Sequence, residues 1–250
     1  MIADIRDNHN AWPDASKVRT VFFDAGNTLL YLDLAWIAGR ISSDGWDISE
    51  EGLFYGQSVA AYEATRLSLL KKYPTDADRL RPYFKRILTL AGIPGDFAGE
   101  CAGILVDEHL ERNLWRQAPD FVADTLEALK SRGYMLGVIS NCDGRLKALL
   151  DEGGLTSFFT CIVDSSTVGA EKPSERIFHC ALSLAETDPD KCVYIGDIYA
   201  VDIVGAHAAG LRGILLDPLD LHGEFDCTRI GKLPEVLDLL PPKALPPRAP

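Results

Sequence analysis

Five short apolar runs constrain the fold of this chain more than any other feature of its sequence. They are rich in β-branched residues and continuous rather than alternating, which is typical of strands that are covered on both faces of a parallel sheet. The runs are Val18–Phe23, Met135–Ile139, Phe159–Val163, Cys192–Ile195 and Gly213–Leu216. Helical patterns at 120–133 and 173–186 lie between the later runs. This alternation predicts an α/β fold with a doubly wound parallel sheet.

A segment from about Leu34 to Arg116 interrupts this alternation, because it contains no convincing strand pattern. Apolar residues recur there at helical spacing in three stretches, Leu53–Leu70, 79–92 and Phe97–Leu114. So long a helical segment after the first strand predicts an all-helical domain inserted into the α/β domain. The proline-rich residues at the end of the chain predict a frayed tail.

The charge balance restricts the kind of partner that the chain can bind. The 250 residues carry a formal net charge of −12 and show no basic face, which disfavours nucleic acid and anionic membrane surfaces. An anionic substrate remains compatible with this charge, because a bound divalent cation can invert the local sign. No apolar targeting or membrane-spanning segment is visible, so we expect a cytoplasmic protein. The sequence gives no indication of the oligomeric state.

Polar side chains follow the apolar runs, at the edge where open α/β sheets bind ligands. Asp24 ends the first run, Ser140 and Asn141 follow the second, Lys172 lies beyond the third, and Asp197 follows the fourth. This combination suits a phosphoryl group. A carboxylate such as Asp24 can attack phosphorus, and a hydroxyl and an amine can stabilise the transferring oxygens. Two carboxylates at one edge also offer the oxygen ligands that Mg²⁺ prefers.

Further polar residues nearby have alternative interpretations. Asp202 can bind the metal through water, orient Lys172, or cap a helix. Thr28 either contacts the phosphate or caps the following helix, and Asn141 either faces the phosphate or forms an Asx turn.

Four short motifs together resemble the haloacid dehalogenase-like (HAD) hydrolases. Residues 24–28, DAGNT, resemble the first motif of that family, usually D-x-D-x-T. Ser140 in VISN, Lys172 in EKP and residues 196–202, GDIYAVD, are similar to the second, third and fourth motifs, and they follow in the family's order. Each motif is short, but four in order at strand ends form a specific pattern, and the likeness covers about residues 17 to 217.

The resemblance implies a Rossmann-like core with a C1-type helical cap, dependence on Mg²⁺, and usually phosphatase activity on a small phosphorylated metabolite. The expected domains are a core of 17–32 and 117–240, a cap of 33–116 and a flexible tail of 241–250. The expected catalytic residues are Asp24, Ser140 and Lys172. The expected phosphate-binding residues are Thr28, Ser140, Asn141 and Lys172, and the expected metal ligands are Asp24, Gly26, Asp197 and Asp202.

Gly26 is the main departure from the family's pattern. In family phosphatases this position holds a second aspartate, which donates a proton to the leaving group, while its backbone carbonyl binds the metal. Gly26 keeps the carbonyl and lacks the acid, whose assistance is typically worth about 10²–10⁴-fold in rate. Three hypotheses therefore stay open: a phosphatase with weakened acid catalysis or with an acid supplied from the cap, a dehalogenase- or phosphonatase-like hydrolase, and a catalytically weak protein that binds metal and phosphate.

Overall fold

The computed structural model describes residues 15–43, 45–69, 72 and 74–243. Its strands are β1 (Thr20–Phe23), β2 (Tyr31–Leu32), β3 (Trp115–Gln117), β4 (Met135–Ser140), β5 (Cys161–Asp164), β6 (Cys192–Gly196), β7 (Arg212–Leu216) and β8 (Thr228–Ile230). Its α-helices are α1 (Leu34–Ser42), α2 (Glu50–Leu69), α3 (Asp76–Leu90), α4 (Gly95–Arg112), α5 (Asp120–Ser131), α6 (Leu146–Glu152), α7 (Ser165–Val168), α8 (Glu175–Leu184), α9 (Val204–Ala208) and α10 (Val236–Leu239).

The main sheet has six parallel strands in the order β5-β4-β1-β6-β7-β8. The five predicted apolar runs form β1, β4, β5, β6 and β7, within two residues of the predicted limits. Strand β1 lies between β4 and β6, so the residues that follow these three strands meet at the middle of one sheet edge. Such an edge is where ligands bind in open α/β sheets.

Helices cover both faces of the sheet, which confirms the doubly wound α/β fold. Along β1, Val21 and Phe23 belong to one apolar core with side chains of α5, α6 and α10, whereas Phe22 belongs to a second core with side chains of α8 and α9. Successive strand residues point to opposite faces, so a fully buried strand needs apolar residues at every position. That requirement explains why three of the four residues of β1, Val21, Phe22 and Phe23, are apolar.

Helices α1 to α4, which we call the inserted helices, bury a third core of their own. Its fully buried members include Ile37 of α1, Leu53 of α2, Phe84 of α3 and Leu105 of α4. The short antiparallel pair β2–β3 carries the chain out to these helices and back again. Helix α1 does not appear in the three predicted helical stretches, and the domain limits at 33 and 116 remain a prediction.

The ends of the chain bear on two further predictions. The predicted flexible tail begins at residue 241, yet the carbonyl of Pro241 accepts a hydrogen bond of 2.8 Å from Tyr134 Oη. The amide of Lys243 donates to the carbonyl of Arg132, so residues 241–243 are held against the core. Residues 244–250 lie outside the described residues, as do residues 1–14. In the described part of the chain, no helix is both long and apolar enough to cross a membrane.

Candidate active site

The carboxyl ends of β1, β4 and β6 open into a cavity of about 680 Å³ that the inserted helices cover from the other side. Asp24 directly follows β1, and its backbone N–H donates to the carbonyl of Ile195 in β6 at 2.8 Å, which keeps the chain in line with the sheet until the site is reached. Ser140 is the last residue of β4, and Asp197 directly follows β6. The structure therefore brings Asp24, Ser140 and Asp197 to one cavity wall.

Lys172 occupies the centre of this wall. Its ammonium donates to Asp24 Oδ1 at 2.6 Å, to Asp202 Oδ1 at 2.6 Å and to Tyr194 Oη at 2.8 Å. Because an ammonium has three N–H donors, its hydrogen-bonding capacity is fully used. The side chain is 2% exposed, so these charge-assisted contacts are shielded from water. Lys172 is thus held rigidly beside the predicted nucleophile.

The carboxylates of the site are buried close to one another, and this raises their affinity for protons. Burial is the largest cause of a pKa of about 6 for Asp24; Lys172 opposes this rise and Asp202 adds to it. Burial and the charges of Asp202 and Asp24 also raise the pKa of Asp197 well above its usual range. For Lys172, burial lowers the pKa, but the neighbouring carboxylates outweigh this effect and raise it. The site thus carries an excess of negative charge that one ammonium does not balance.

The same carboxylates form a group that fits a divalent cation. Asp24, Asp197 and Asp202 are all buried, and each offers an oxygen atom within 4.8 Å of the others. A set of carboxylate oxygens suits Mg²⁺, which is a hard cation with oxygen ligands. Among the described residues, Lys172 is the ammonium in contact with these carboxylates. Three ionised carboxylates then leave two negative charges, which is the charge that Mg²⁺ neutralises.

Asp202 reaches the site because Gly196 leaves room for it. A β-carbon at Gly196 would lie 2.6 Å from the β-carbon of Asp202, closer than real contacts allow. Asp202 Oδ2 accepts the backbone N–H of Ile198 at 2.9 Å, while its Oδ1 accepts from Lys172. In this arrangement Asp202 orients Lys172, which is one of the alternatives that the sequence left open.

The remaining predicted residues differ in whether they line the cavity and in what they contact. Asn141 lines the cavity, but its side-chain amide binds both backbone groups of Lys172. Its Oδ1 accepts from the Lys172 N–H at 2.7 Å, and its Nδ2 donates to the Lys172 carbonyl at 3.2 Å. Gly26 lies on the cavity wall, where the indole of Trp115 faces it. Thr28 is fully buried and is not part of the cavity wall, and its hydroxyl has no hydrogen-bond partner among the described residues.

Two residues of the site were missed by sequence reasoning. Tyr194 lies in the middle of β6, and its hydroxyl contacts Lys172 and lies 3.0 Å from Asp202 Oδ1. Asn27 lies next to Gly26, and its Nδ2 donates to Asp197 Oδ2 at 2.9 Å. For Tyr194, the sequence does carry a signal: a tyrosine inside an otherwise apolar strand needs a buried partner for its hydroxyl. For Asn27, the sequence carries no signal beyond its place within the motif.

On the side of the inserted helices, the arginines of the cavity wall are paired with carboxylates. Arg86 makes two contacts with Glu63, at 2.6 and 2.7 Å, and Arg79 pairs with Asp76. Across the opening, Arg145 binds Asp143 at 2.6 Å. His109 also lines the cavity; burial, together with the charge of Arg145, lowers its pKa to about 4. This histidine is therefore neutral at pH 7.

Comparison with known proteins identifies relatives of this chain. A sequence profile described as "Haloacid dehalogenase-like hydrolase" matches residues 105–216. The chain is 38% identical over 120 residues to haloacid dehalogenase-like hydrolase domain-containing protein 3 of Bos taurus, covering 47% of this chain and 48% of that protein. The chain thus spans about half the length of this relative in both cattle and humans.

Two further likenesses extend over most of the chain. The glyceraldehyde 3-phosphate phosphatase of Pyrococcus furiosus is 28% identical over 242 residues, which cover 90% of this chain and 93% of that protein. A HAD hydrolase from Bacillus subtilis, solved bound to magnesium, is 22% identical, covers 89% of this chain and 98% of its own, and superposes with a TM-score of 0.61. At this identity the solved structure supports the fold alone, and its fold agrees with the sheet and inserted helices described above.

Proposed function

Because the chain belongs to the haloacid dehalogenase-like hydrolases, we propose that it is a Mg²⁺-dependent phosphatase of small phosphorylated metabolites. The observation that carries the proposal is the placement of Lys172 between Asp24 and Asp202, with Asp197 completing the acidic group. A buried carboxylate held by an ammonium at the edge of the sheet is suited to attack an anionic phosphoryl group. A triose phosphate is one candidate substrate, since the relative from Pyrococcus furiosus is named for it.

The reaction proceeds in two displacements at phosphorus. An oxygen of Asp24 forms a bond to phosphorus while the bond to the leaving oxygen breaks, giving an aspartyl-phosphate. A water molecule then attacks phosphorus, releasing inorganic phosphate and restoring the Asp24 carboxylate. Lys172 and the Ser140 hydroxyl stabilise the phosphoryl oxygens during both displacements. Asp24, Asp197, Asp202 and the Gly26 carbonyl would hold Mg²⁺, which would neutralise charge on those oxygens.

Among the described residues of the cavity wall, neither His109 nor Tyr83 replaces the acid that Gly26 lacks. His109 is the histidine that lines the cavity in the described part of the chain, and with a pKa of about 4 its imidazole is neutral and a poor proton donor at neutral pH. Burial raises the pKa of Tyr83, so its hydroxyl is a weak acid. We therefore infer that the enzyme favours substrates whose leaving groups depart without protonation.

We expect measurable turnover of p-nitrophenyl phosphate and acetyl phosphate in the presence of Mg²⁺, because their leaving groups are weak bases. Alkyl phosphates such as glycerol phosphate should be slower by roughly 10²–10⁴-fold, the usual contribution of general acid catalysis. Phosphate release measured for the three substrates, with Mg²⁺ and with excess chelator, tests this order. Equal rates for all three, or turnover that is insensitive to the chelator, would contradict the proposal.

Mg²⁺ should stabilise the folded protein, and more so at pH 7.5 than at pH 5. The folded-state pKa of about 6 for Asp24 exceeds its ordinary value, so the folded protein binds the extra proton and the metal-free form loses stability as pH rises between about 4 and 6. Above that window Asp24 is ionised and free for the cation; below it, protons compete. At 100 times the dissociation constant the gain is about 2.7 kcal/mol, or roughly 5–10 °C in a melt.

Thermal unfolding with and without MgCl₂ at both pH values measures this effect, with Asp197→Asn as the control that lacks one ligand. A shift that is larger at pH 5, or one that survives unchanged in Asp197→Asn, would argue against a cation bound by these carboxylates.

Gly26 also favours a second candidate function, a dehalogenase- or phosphonatase-like hydrolase, since such relatives lack the second aspartate. A dehalogenase needs no metal. The acidic group of Asp24, Asp197 and Asp202 could hold a metal ion and therefore favours the phosphatase. A phosphonatase uses a lysine of the inserted helices as a Schiff base. Lys71 lies outside the described residues, and Lys72 is exposed. Release of halide from 2-chloropropionate without Mg²⁺, or borohydride trapping of phosphonoacetaldehyde on a lysine, would favour this candidate.

A further inference from the structure

Asn27 occupies a backbone position that favours glycine, yet every polar atom of its side chain is used. Its φ angle is 54°, in the left-handed region that asparagine tolerates better than most residues. Nδ2 donates to Asp197 Oδ2 at 2.9 Å and to Tyr83 Oη at 3.3 Å. Oδ1 accepts from Trp115 Nε1 and from Gln57 Nε2, both at 2.7 Å. A primary amide has two donors and two lone pairs, so its capacity is filled.

The chemistry of its partners fixes which way this amide points. An indole N–H can only donate, so the oxygen of Asn27 must face Trp115. The nitrogen then faces Asp197, which accepts when its carboxylate is ionised. One oxygen of Asp197 is thereby occupied at 2.9 Å, and Asp197 still offers an oxygen to the acidic group that it forms with Asp24 and Asp202. The amide thus determines the orientation in which Asp197 presents that oxygen to the acidic group.

Three of the four partners belong to the part of the chain inserted after β1. Gln57 lies in α2 and is 5% exposed, Tyr83 lies in α3, and Trp115 begins β3, where the chain returns to the sheet. The rings of Tyr83 and Trp115 also pack together, with centroids 6.1 Å apart. A single side chain of the sheet edge therefore joins three separate inserted elements to Asp197.

We propose that Asn27 is a positioning residue that makes cation binding depend on the seating of the inserted helices, by which we mean their packing against the sheet edge through Gln57, Tyr83 and Trp115. With the helices seated, Gln57 and Trp115 anchor the amide oxygen, and the amide nitrogen holds Asp197 in the orientation that the cation needs. Without them, the amide and Asp197 are free to turn. The inference rests on the proposed function, because it takes the acidic group to be a Mg²⁺ site, and it assigns a role to residues that do not touch the metal.

The test is Mg²⁺ binding by isothermal titration calorimetry on the full chain. Asn27→Gly keeps the backbone geometry and removes the amide, and we expect the affinity to fall about 10–100-fold, the usual effect of losing a group that orients a metal ligand. Trp115→Phe and Gln57→Leu each remove one anchor and leave the Asn27–Asp197 contact, so we expect smaller losses in the same direction. High Mg²⁺ should restore turnover in all three variants.

Arg66→Ala is the matched control. Arg66 of α2 binds Glu224 at 2.7 Å in an exposed ion pair that does not involve Asn27. Because exposed ion pairs contribute little to stability, the inserted helices should stay seated and the variant should bind Mg²⁺ like the parent. Thermal unfolding of each variant verifies that it is folded. Parent-like affinity in Asn27→Gly would overturn the inference while leaving the phosphatase proposal intact, and so would equal losses in Arg66→Ala and Gln57→Leu. Absence of Mg²⁺ binding in the parent protein would overturn both.

Discussion

Replacing Asp24 by asparagine is expected to abolish phosphate hydrolysis while leaving the protein folded. The substitution keeps the shape of the side chain and removes the nucleophilic carboxylate, and loss of a nucleophile typically lowers kcat by roughly 10⁴–10⁶-fold. Folding should not suffer, because burial and Asp202 already disfavour the charge of Asp24, and Lys172 keeps Asp202 as its partner. Steady-state turnover of p-nitrophenyl phosphate, alongside a thermal melt, measures both effects.

The matched control for this variant is Asp124→Asn, the same change at an exposed position of α5. It should keep the parent's turnover and melting temperature. If Asp24→Asn retained turnover within a few-fold of the parent, Asp24 would not be the nucleophile and the proposed reaction would be wrong.

Introducing an aspartate at Gly26 is expected to raise kcat on alkyl phosphates by about 10²–10⁴-fold, because it supplies the missing general acid. The structure has room for the new side chain at its base: a β-carbon at Gly26 would lie 3.5 Å from Trp115 Cδ1, an ordinary contact distance. Turnover of p-nitrophenyl phosphate should change far less, since its leaving group does not need a proton. The ratio of the two rates, measured for parent and variant, isolates acid catalysis from changes in binding.

Gly26→Ala separates the acid from the added bulk. It places the same β-carbon against Trp115 without a carboxyl group, and it should leave the rate ratio where it is in the parent. A gain of equal size in Gly26→Ala and Gly26→Asp would mean that packing against Trp115, and not the absent acid, limits the enzyme.

The fold and the convergence of the polar residues could be predicted because both follow from local patterns. Buried parallel strands require continuous apolar runs, and residues that follow β1, β4 and β6 must meet at one edge once the strands are parallel. That is why Asp24, Ser140 and Asp197 were found from sequence. Strand β8 was missed because Thr228–Ile230 is too short and too polar to show the same pattern.

The contacts that orient the site could not be predicted, because they join distant parts of the chain. Asn27 meets Gln57, Tyr83 and Trp115 after the inserted helices have packed, and no spacing in the sequence indicates that meeting. Tyr194 lies within the apolar run Cys192–Ile195, which gives no sign that its hydroxyl contacts Lys172. The place of Thr28 in the motif predicts a contact with the phosphate, whereas the structure buries this residue away from the cavity wall.

The central claim is that a phosphoryl group is transferred to Asp24, and chemical trapping of that intermediate tests it most directly. Acid quenching during turnover of acetyl phosphate, followed by borohydride reduction, converts an aspartyl-phosphate to homoserine, which peptide mass spectrometry locates. We predict homoserine at position 24 in the parent protein with Mg²⁺ and none in Asp24→Asn. Full turnover with an unmodified Asp24, or homoserine at another aspartate, would contradict the mechanism.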